Sequence, residues 1–333
     1  MKLTIAAGIL IGIQVANINL TFGDEKHNLR TKSAIGKAIR VVQASATEYL
    51  KHRECFSCHH QAMPIIALTY VAKHQFEVDR AVVAKQVEHT LSHFKKNKQK
   101  YVQGQGTGGQ VDTAGYGLWA LHAGSVTGNE WTQAVVDYLA LRDKNRNFWR
   151  RSSDRPPSEA SHFTATFVAL KAVENYGTPK QKNEFNGKLS RVTKWWSSTR
   201  AKDNEDLVFK ILLGENLELE KTKIQPLADK LLSLQKKDGG WSQNNELKSD
   251  AYATATALYS LYESNYLKAS DPEFRRGLNY LLDNQKSDGS WHVPSRSSPF
   301  QEYFESGFPH KKDQFISITA TCWAMMVLSV PVP

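Results

Sequence analysis

Leu-Leu-Ser-Leu-Gln-Lys-Lys-Asp-Gly-Gly-Trp at residues 231–241 and Leu-Leu-Asp-Asn-Gln-Lys-Ser-Asp-Gly-Ser-Trp at 281–291 are two copies of one pattern, L-L-x-x-Q-x-x-D-G-(G/S)-W. Their glutamines stand 50 positions apart, and so do their tryptophans. Chance rarely repeats both identity and spacing, so a two-helix unit organises this chain. Leu227, Leu231 and Leu234 precede the first turn, and Phe274, Leu278 and Leu281 the second, at the period of one apolar helix face. Pro226 suits the first turn of the earlier helix. Asp-Gly then stops each helix, and the tryptophan packs the turn.

A second, more apolar helix follows each turn, clearest in DAYATATALYSL at 250–261. DTAGYGLWAL at 112–121, SHFTATFVAL at 161–170 and ITATCWAMM at 318–326 are related, and QAMPIIALTYV at 61–71 is a weaker relative. Val71, Leu121, Leu170, Leu261 and Met326 take equivalent places at intervals of 50, 49, 91 and 65. The 91-residue interval holds a degenerate unit around 183–213, and the 65-residue interval a long insertion, which makes six units. Amphipathic helices alternating with helices apolar all round suit a closed double ring, where each inner helix touches neighbours on every side. An open solenoid needs polar caps, yet this chain ends in an apolar helix. The expected fold is all-α, one α/α toroid of about six helix pairs over residues 33–333.

These turns, followed by D-x-Y-A-T-A-x-A-L, resemble the repeats of squalene-hopene cyclases and of protein prenyltransferase β subunits, over roughly 34–328 and most strongly over 227–328. The resemblance implies an α6/α6 barrel with a central apolar cavity and an apolar or isoprenoid small molecule as ligand. Fold alone does not fix chemistry. Cyclases of that family that start by protonation carry a D-x-D-D-T-A segment whose central Asp is the proton donor. Here Asp250-Ala251-Tyr252-Ala253-Thr254-Ala255 puts Tyr252 in that place. A phenol is a far weaker acid than a carboxylic acid, so protonation of an alkene is not expected. The D-x-C pair of prenyltransferase zinc sites is absent, and Asp250, His162 and Cys322 have no ligand spacing.

The sharpest chemical signal is Cys55-Phe56-Ser57-Cys58-His59, the C-x-x-C-H of c-type haem attachment. Two thiols one helical turn apart can join both haem vinyl groups, and the adjacent imidazole then lies under the iron. Haem c is the expected cofactor, with Cys55 and Cys58 as thioethers and His59 as axial ligand. A C-x-x-C disulfide or redox pair, a zinc site shared with His60, and a purely structural turn remain open. His60, Asp112, Tyr116, His162, Asp250 and Tyr252 are candidates to face the cavity, Asp112 and Asp250 serving by default as helix caps.

In such a barrel every outer-to-inner connection emerges at one rim. This gathers the cysteine turn with 104–109, 150–157, 238–250 and 287–312, so a group at Cys55 and Cys58 would sit at the cavity mouth. Gly104-Gln105-Gly106-Thr107-Gly108-Gly109 matches G-x-G-x-x-G, but no strand precedes it and it reads as a rim loop. Cys322 reads as a small buried hydrophobe.

The 333 residues are 41% apolar and include 8 Trp and 12 Tyr, which excludes a disordered chain. The net charge of +10 is diffuse, and its densest run, at 95–100, reads as a solvated helix end, so no nucleic-acid partner is expected. Lys2 and the apolar run 3–15 read as a secretory signal over 1–23, with no membrane-spanning segment beyond it. The expected setting is periplasmic or secreted, and the expected role that of a redox or apolar-ligand-binding protein with a redox partner. A haem-free cyclase or prenyltransferase, and a structural toroid binding a protein or glycan, are the alternatives. Mass spectrometry of protein from its native host should find a mature start near Asp24; an intact cytoplasmic Met1 form would overturn export.

Overall fold

A computed structural model describes residues 6–298 and 303–330, with side chains described from His27 onward. The expected export signal, residues 1–23, lies outside the residues whose side chains are described. The described residues form six helix pairs, outer helix first. They are α1 (Ala6–His52) with α2 (Met63–Lys73), and α3 (Arg80–Lys96) with its short continuation α4 (Lys98–Val102) and then α5 (Gln110–Ala123). Next come α6 (Glu130–Leu141) with α7 (His162–Tyr176), and α8 (Pro179–Ser198) with α9 (Asn204–Asn216). Last are α10 (Lys221–Ser233) with α11 (Ala251–Glu263), and α12 (Pro272–Asn284) with α13 (Gln314–Leu328). The degenerate unit is α8 with α9. Among the described residues there is no β-strand, only two isolated bridges.

Inner helices α2, α5, α7, α9, α11 and α13 touch in that order, and α13 returns to α2, so the ring is closed. The sequence pattern causes this division. α13 buries every residue from Ile316 to Leu328, whereas α12 buries only Phe274, Gly277, Leu278, Leu281 and Leu282. A helix apolar on all sides is stable only when surrounded.

The repeated turn joins three helices at once. The indole N–H of Trp241 donates to the carbonyl of Leu231 at 2.7 Å, and that of Trp291 to Leu281 at 2.7 Å, ten residues back on the same outer helix. The backbone N–H of each tryptophan donates to a threonine of the following inner helix, Thr254 Oγ1 at 2.9 Å and Thr321 Oγ1 at 3.1 Å. Gln235 Nε2 donates to the carbonyl of Glu273 on the next outer helix, and Gln285 Nε2 to Ala34 on α1, each at 2.8 Å. Each bond is worth about 1 kcal/mol net, and an unpaired buried indole would cost more. Trp149 is a third copy, its indole on Leu139 at 2.9 Å and its N–H on Thr166 Oγ1 at 3.1 Å. Here Lys188 of α8 takes the glutamine's part, donating to the carbonyls of Arg142 and Asp143 at 3.3 and 2.9 Å.

Two expectations change. Pro226 lies inside α10, not at its start, because the helix reaches back to Lys221 and buries Ile224 beside Trp196 and Gly214. The central cavity implied by the family resemblance is filled at mid-depth: Trp119, Phe167, Phe209, Tyr259 and Trp323 form a chain of ring contacts with centroids 4.8–6.3 Å apart.

Gly289 (φ 93°) shows how the ring closes: a Cβ there would lie 2.6 Å from the backbone of Lys37 on α1. Gly289→Ala should therefore lower unfolding free energy by about 2 kcal/mol or more. Gly36→Ala, whose Cβ would meet only Arg40 at 3.8 Å, should be neutral or stabilise by about 0.5–1 kcal/mol. Equal effects in denaturant melts would show that closure does not depend on this approach.

Candidate functional site

The outer-to-inner connections meet at one rim and enclose a mouth cavity of about 340 Å³. Cys55, Cys58 and His59 all line it, facing aromatic walls from Phe56, Phe304 and Phe315. Ser57 starts this turn as an N-cap, its Oγ accepting from the N–H groups of His59 and His60 at 3.2 Å each, while Gln61 Oε1 accepts from Ser57 N–H at 2.6 Å. Cys58–Ala62 is then a wide π-helical turn leading into α2. Pro64 has no N–H and its ring must clear the carbonyl four residues back, at His60, and the wide turn gives that room.

The two cysteines differ. Cys55 is exposed, its Sγ 3.5 Å from the Tyr49 hydroxyl. Cys58 is buried, and burial, then the carboxylates of Glu159 and Asp112, push its thiol well above the ordinary value. Cys322 is buried in α13, and all three thiols are free.

His59 places Nε2 3.4 Å from Ser158 Oγ and Nδ1 3.8 Å from the Glu159 carboxylate. Glu159 is itself buried and held by Arg155 at 3.0 Å. Burial lowers the pKa of His59 against the pull of Glu159, so the ring is neutral at pH 7 and keeps a lone pair. His60 stands behind the wall. It stacks on Tyr49 at 5.0 Å and meets the edge of Phe315 at 5.2 Å, fully buried, with both ring nitrogens unpartnered and its pKa driven down by burial.

The remaining candidates lie in four places. Asp112 sits on the first turn of α5 below the mouth, its Oδ2 accepting from Ser152 Oγ at 3.2 Å, and burial with the nearby Glu159 pushes it up to about 7. Tyr116 and Tyr252 are deeper, both pushed up by burial and by Glu205. Asp250 caps α11 through Ala253 N–H at 2.9 Å, is pushed up to about 6 by burial, and lines a second cavity. His162 is half-buried at another part of the rim, its Nδ1 accepting from Arg151 N–H at 3.2 Å.

Besides Ser158 and Glu159, sequence reasoning missed Glu205. Its carboxyl accepts from Thr164 Oγ1 at 2.8 Å and from the Tyr252 hydroxyl at 3.0 Å, and burial holds it well above the usual carboxylate range. In sequence it belongs to Asp203-Asn204-Glu205-Asp206, which reads as an acidic helix start in the unit lacking a repeat turn. A carboxyl held above its normal pKa is a weaker proton donor than a free one, so Glu205 does not supply the strong acid that Tyr252 lacks. Among the described residues no group of three His, Cys, Asp or Glu could hold a metal ion, and no helix is long and apolar enough to cross a membrane.

The architecture is that of the terpenoid-cyclase type of α/α toroid. Among solved structures the chain is similar to the type II terpene cyclase MstE from Scytonema in its apo form, at 15% identity with TM-score 0.53, covering 88% of this chain and 98% of that one. A variant of that enzyme in complex with the substrate geranylgeranyl dihydroxybenzoate matches at 12% and 0.54, covering 90% and 99%. A protein from Actinoplanes matches at 12% and 0.53, covering 88% and 98%. At these identities the likeness is one of fold. No protein-family model and no curated protein matches the chain by sequence.

Iodoacetamide should alkylate Cys55 of the native protein well before Cys58 and Cys322, which should react only on unfolding. Peptide mapping that found equal rates for Cys55 and Cys58 would contradict the burial of Cys58.

Proposed function

We propose that the mouth cavity is the working site and that it takes an apolar small molecule of the isoprenoid class, in a terpenoid-cyclase-like or prenyltransferase-like protein that does not begin by protonation. The carrying observation is the cavity itself, aromatic on its walls and charged at Arg53, Arg155 and Glu159, at one end of the barrel. Aromatic faces accept an alkene chain, and the charged groups can receive a polar head. The MstE structure holding geranylgeranyl dihydroxybenzoate supports the ligand class.

A second reading places haem c in the same cavity, and the observation favouring it is that Cys55, Cys58 and His59 line one space with free thiols and a neutral imidazole. Cys55 and Cys58 would hold the group as thioethers and His59 would be its axial ligand. Haem would supply one-electron chemistry. On this reading the protein is exported and serves a redox partner.

Two experiments separate the readings. Geranylgeraniol should quench tryptophan fluorescence saturably, Phe315→Asp should remove the response, and squalene should give no cyclised product. Turnover of squalene that Tyr252→Phe reduces would overturn the non-protonating assignment. Protein made with haem-maturation machinery should, on the second reading, keep its haem through acid-acetone extraction and lose it in Cys55→Ala/Cys58→Ala. Colourless protein with a Cys55–Cys58 disulfide would end that reading and leave the first intact.

A further inference from the structure

A second cavity of about 390 Å³ opens at the same rim, between the loops of the last two repeats. One segment separates it from the mouth cavity. Ser295 and Ser297 line the mouth, whereas Trp291, His292, Pro294 and Arg296 line the second cavity, so the two spaces lie on either side of this segment. The second cavity is therefore a separate compartment with its own chemistry.

Its walls are cationic. Lys248, Lys286 and Arg296 line it. Among the described residues neither lysine meets a carboxylate within ion-pair distance. Arg296 donates to Gln243 Oε1 at 2.8 Å and lies near enough to Asp250 and Asp203 for its charge to favour both carboxylates. His292 is already paired with Asp313 at 2.8 Å. The one carboxyl in the wall, Asp250, is engaged by the N–H of Ala253 as the cap of α11. Ala251, the first residue of that 13-residue helix, also lines the space, which adds the positive end of the helix to the three side-chain charges. Three cations against one acid leave the lining with an excess of two positive charges.

We propose that this second cavity binds a phosphate monoester, gripped by Lys248, Lys286 and Arg296. Charge and size select that class. A phosphate monoester carries close to two negative charges at neutral pH and matches the excess, whereas a sulfate ester or a carboxylate carries one. The volume suits a small molecule and excludes a nucleic-acid strand. Tyr280 and Trp291 in the lining offer apolar surface to the organic part of the ester, and Asn284 adds an amide. The diffuse net charge of +10 is not the cause, because the site depends on three particular side chains.

The test is calorimetric titration of the full chain with phenyl phosphate, phenyl sulfate and inorganic phosphate. Phenyl phosphate should bind saturably and more tightly than phenyl sulfate, with inorganic phosphate reporting how much the phosphate group alone contributes. Lys248→Ala/Lys286→Ala should weaken phenyl phosphate by about tenfold or more. Lys95→Ala/Lys96→Ala removes the same charge from the densest basic run and should change it by less than about twofold. Both lysine pairs are exposed, so neither variant threatens folding. Absence of saturable binding, equal losses in the two variants, or preference for the sulfate would each overturn the proposal. Geranylgeraniol titration of the mouth should be unchanged in Lys248→Ala/Lys286→Ala, so failure here is distinguishable from failure at the mouth.

Discussion

The ring depends on one contact made repeatedly, the indole N–H of a turn tryptophan on a helix carbonyl ten residues earlier. An outer helix ends with carbonyls that have no partner of their own, and a buried turn cannot leave them to water. Trp149, Trp241 and Trp291 fold back on their own helices to such carbonyls, Leu231 accepting from Leu234 N–H as well, and their backbone N–H groups then fasten the next inner helix through Thr166, Thr254 and Thr321. Indole and threonine together fix the angle between the helices of a pair. Gln235 and Gln285 fix the spacing between pairs. At the point of closure the sixth unit meets α1 through the same glutamine contact that the fifth makes with α12, beside the close approach of Gly289 to Lys37.

This arrangement divides the molecule into a rigid body and a variable rim. The inner helices are occupied with one another, and their aromatic side chains fill the barrel at mid-depth. Chemistry is left to the connections, which differ from unit to unit in length and composition. The mouth cavity draws on the cysteine turn, the glycine loop before α5, the segment around Arg155 and the insertion before α13. Its neighbour draws on the last two connections, the start of α11 and the end of α12. One is aromatic, with Arg53 and Arg155 beside a single carboxylate, Glu159; the other holds three cations beside Asp250.

Much of the fold was legible because the repeat turn is written in residues with few substitutes. Glycine is needed where Gly239 and Gly289 take positive φ against the next helix, and tryptophan is needed to span from turn to carbonyl. The third copy was not legible, because Lys188 from the next helix replaces the glutamine and no Asp-Gly announces the turn at Trp149. The start of α10 was misjudged because burial of Ile224 outweighs the preference of Pro226 for a first turn. At the site, the C-x-x-C-H and the shared rim were readable from spacing and topology. Glu205, Ser158 and Glu159 were not, since each becomes notable only through partners more than 40 positions away in the chain.

The mouth is assembled from the two ends of the chain. Tyr49, Arg53 and the cysteine turn form one side of it, and Ser295, Ser297, Phe304 and Phe315 another, brought together only when the sixth unit docks on the first. A chain emerging from its N-terminus therefore presents Cys55, Cys58 and His59 to solvent for as long as the later units are unmade. The last unit closes over Cys58, while Cys55 stays at the surface. The order of synthesis thus gives Cys58 an interval of open access before Phe304 and Phe315 wall the mouth.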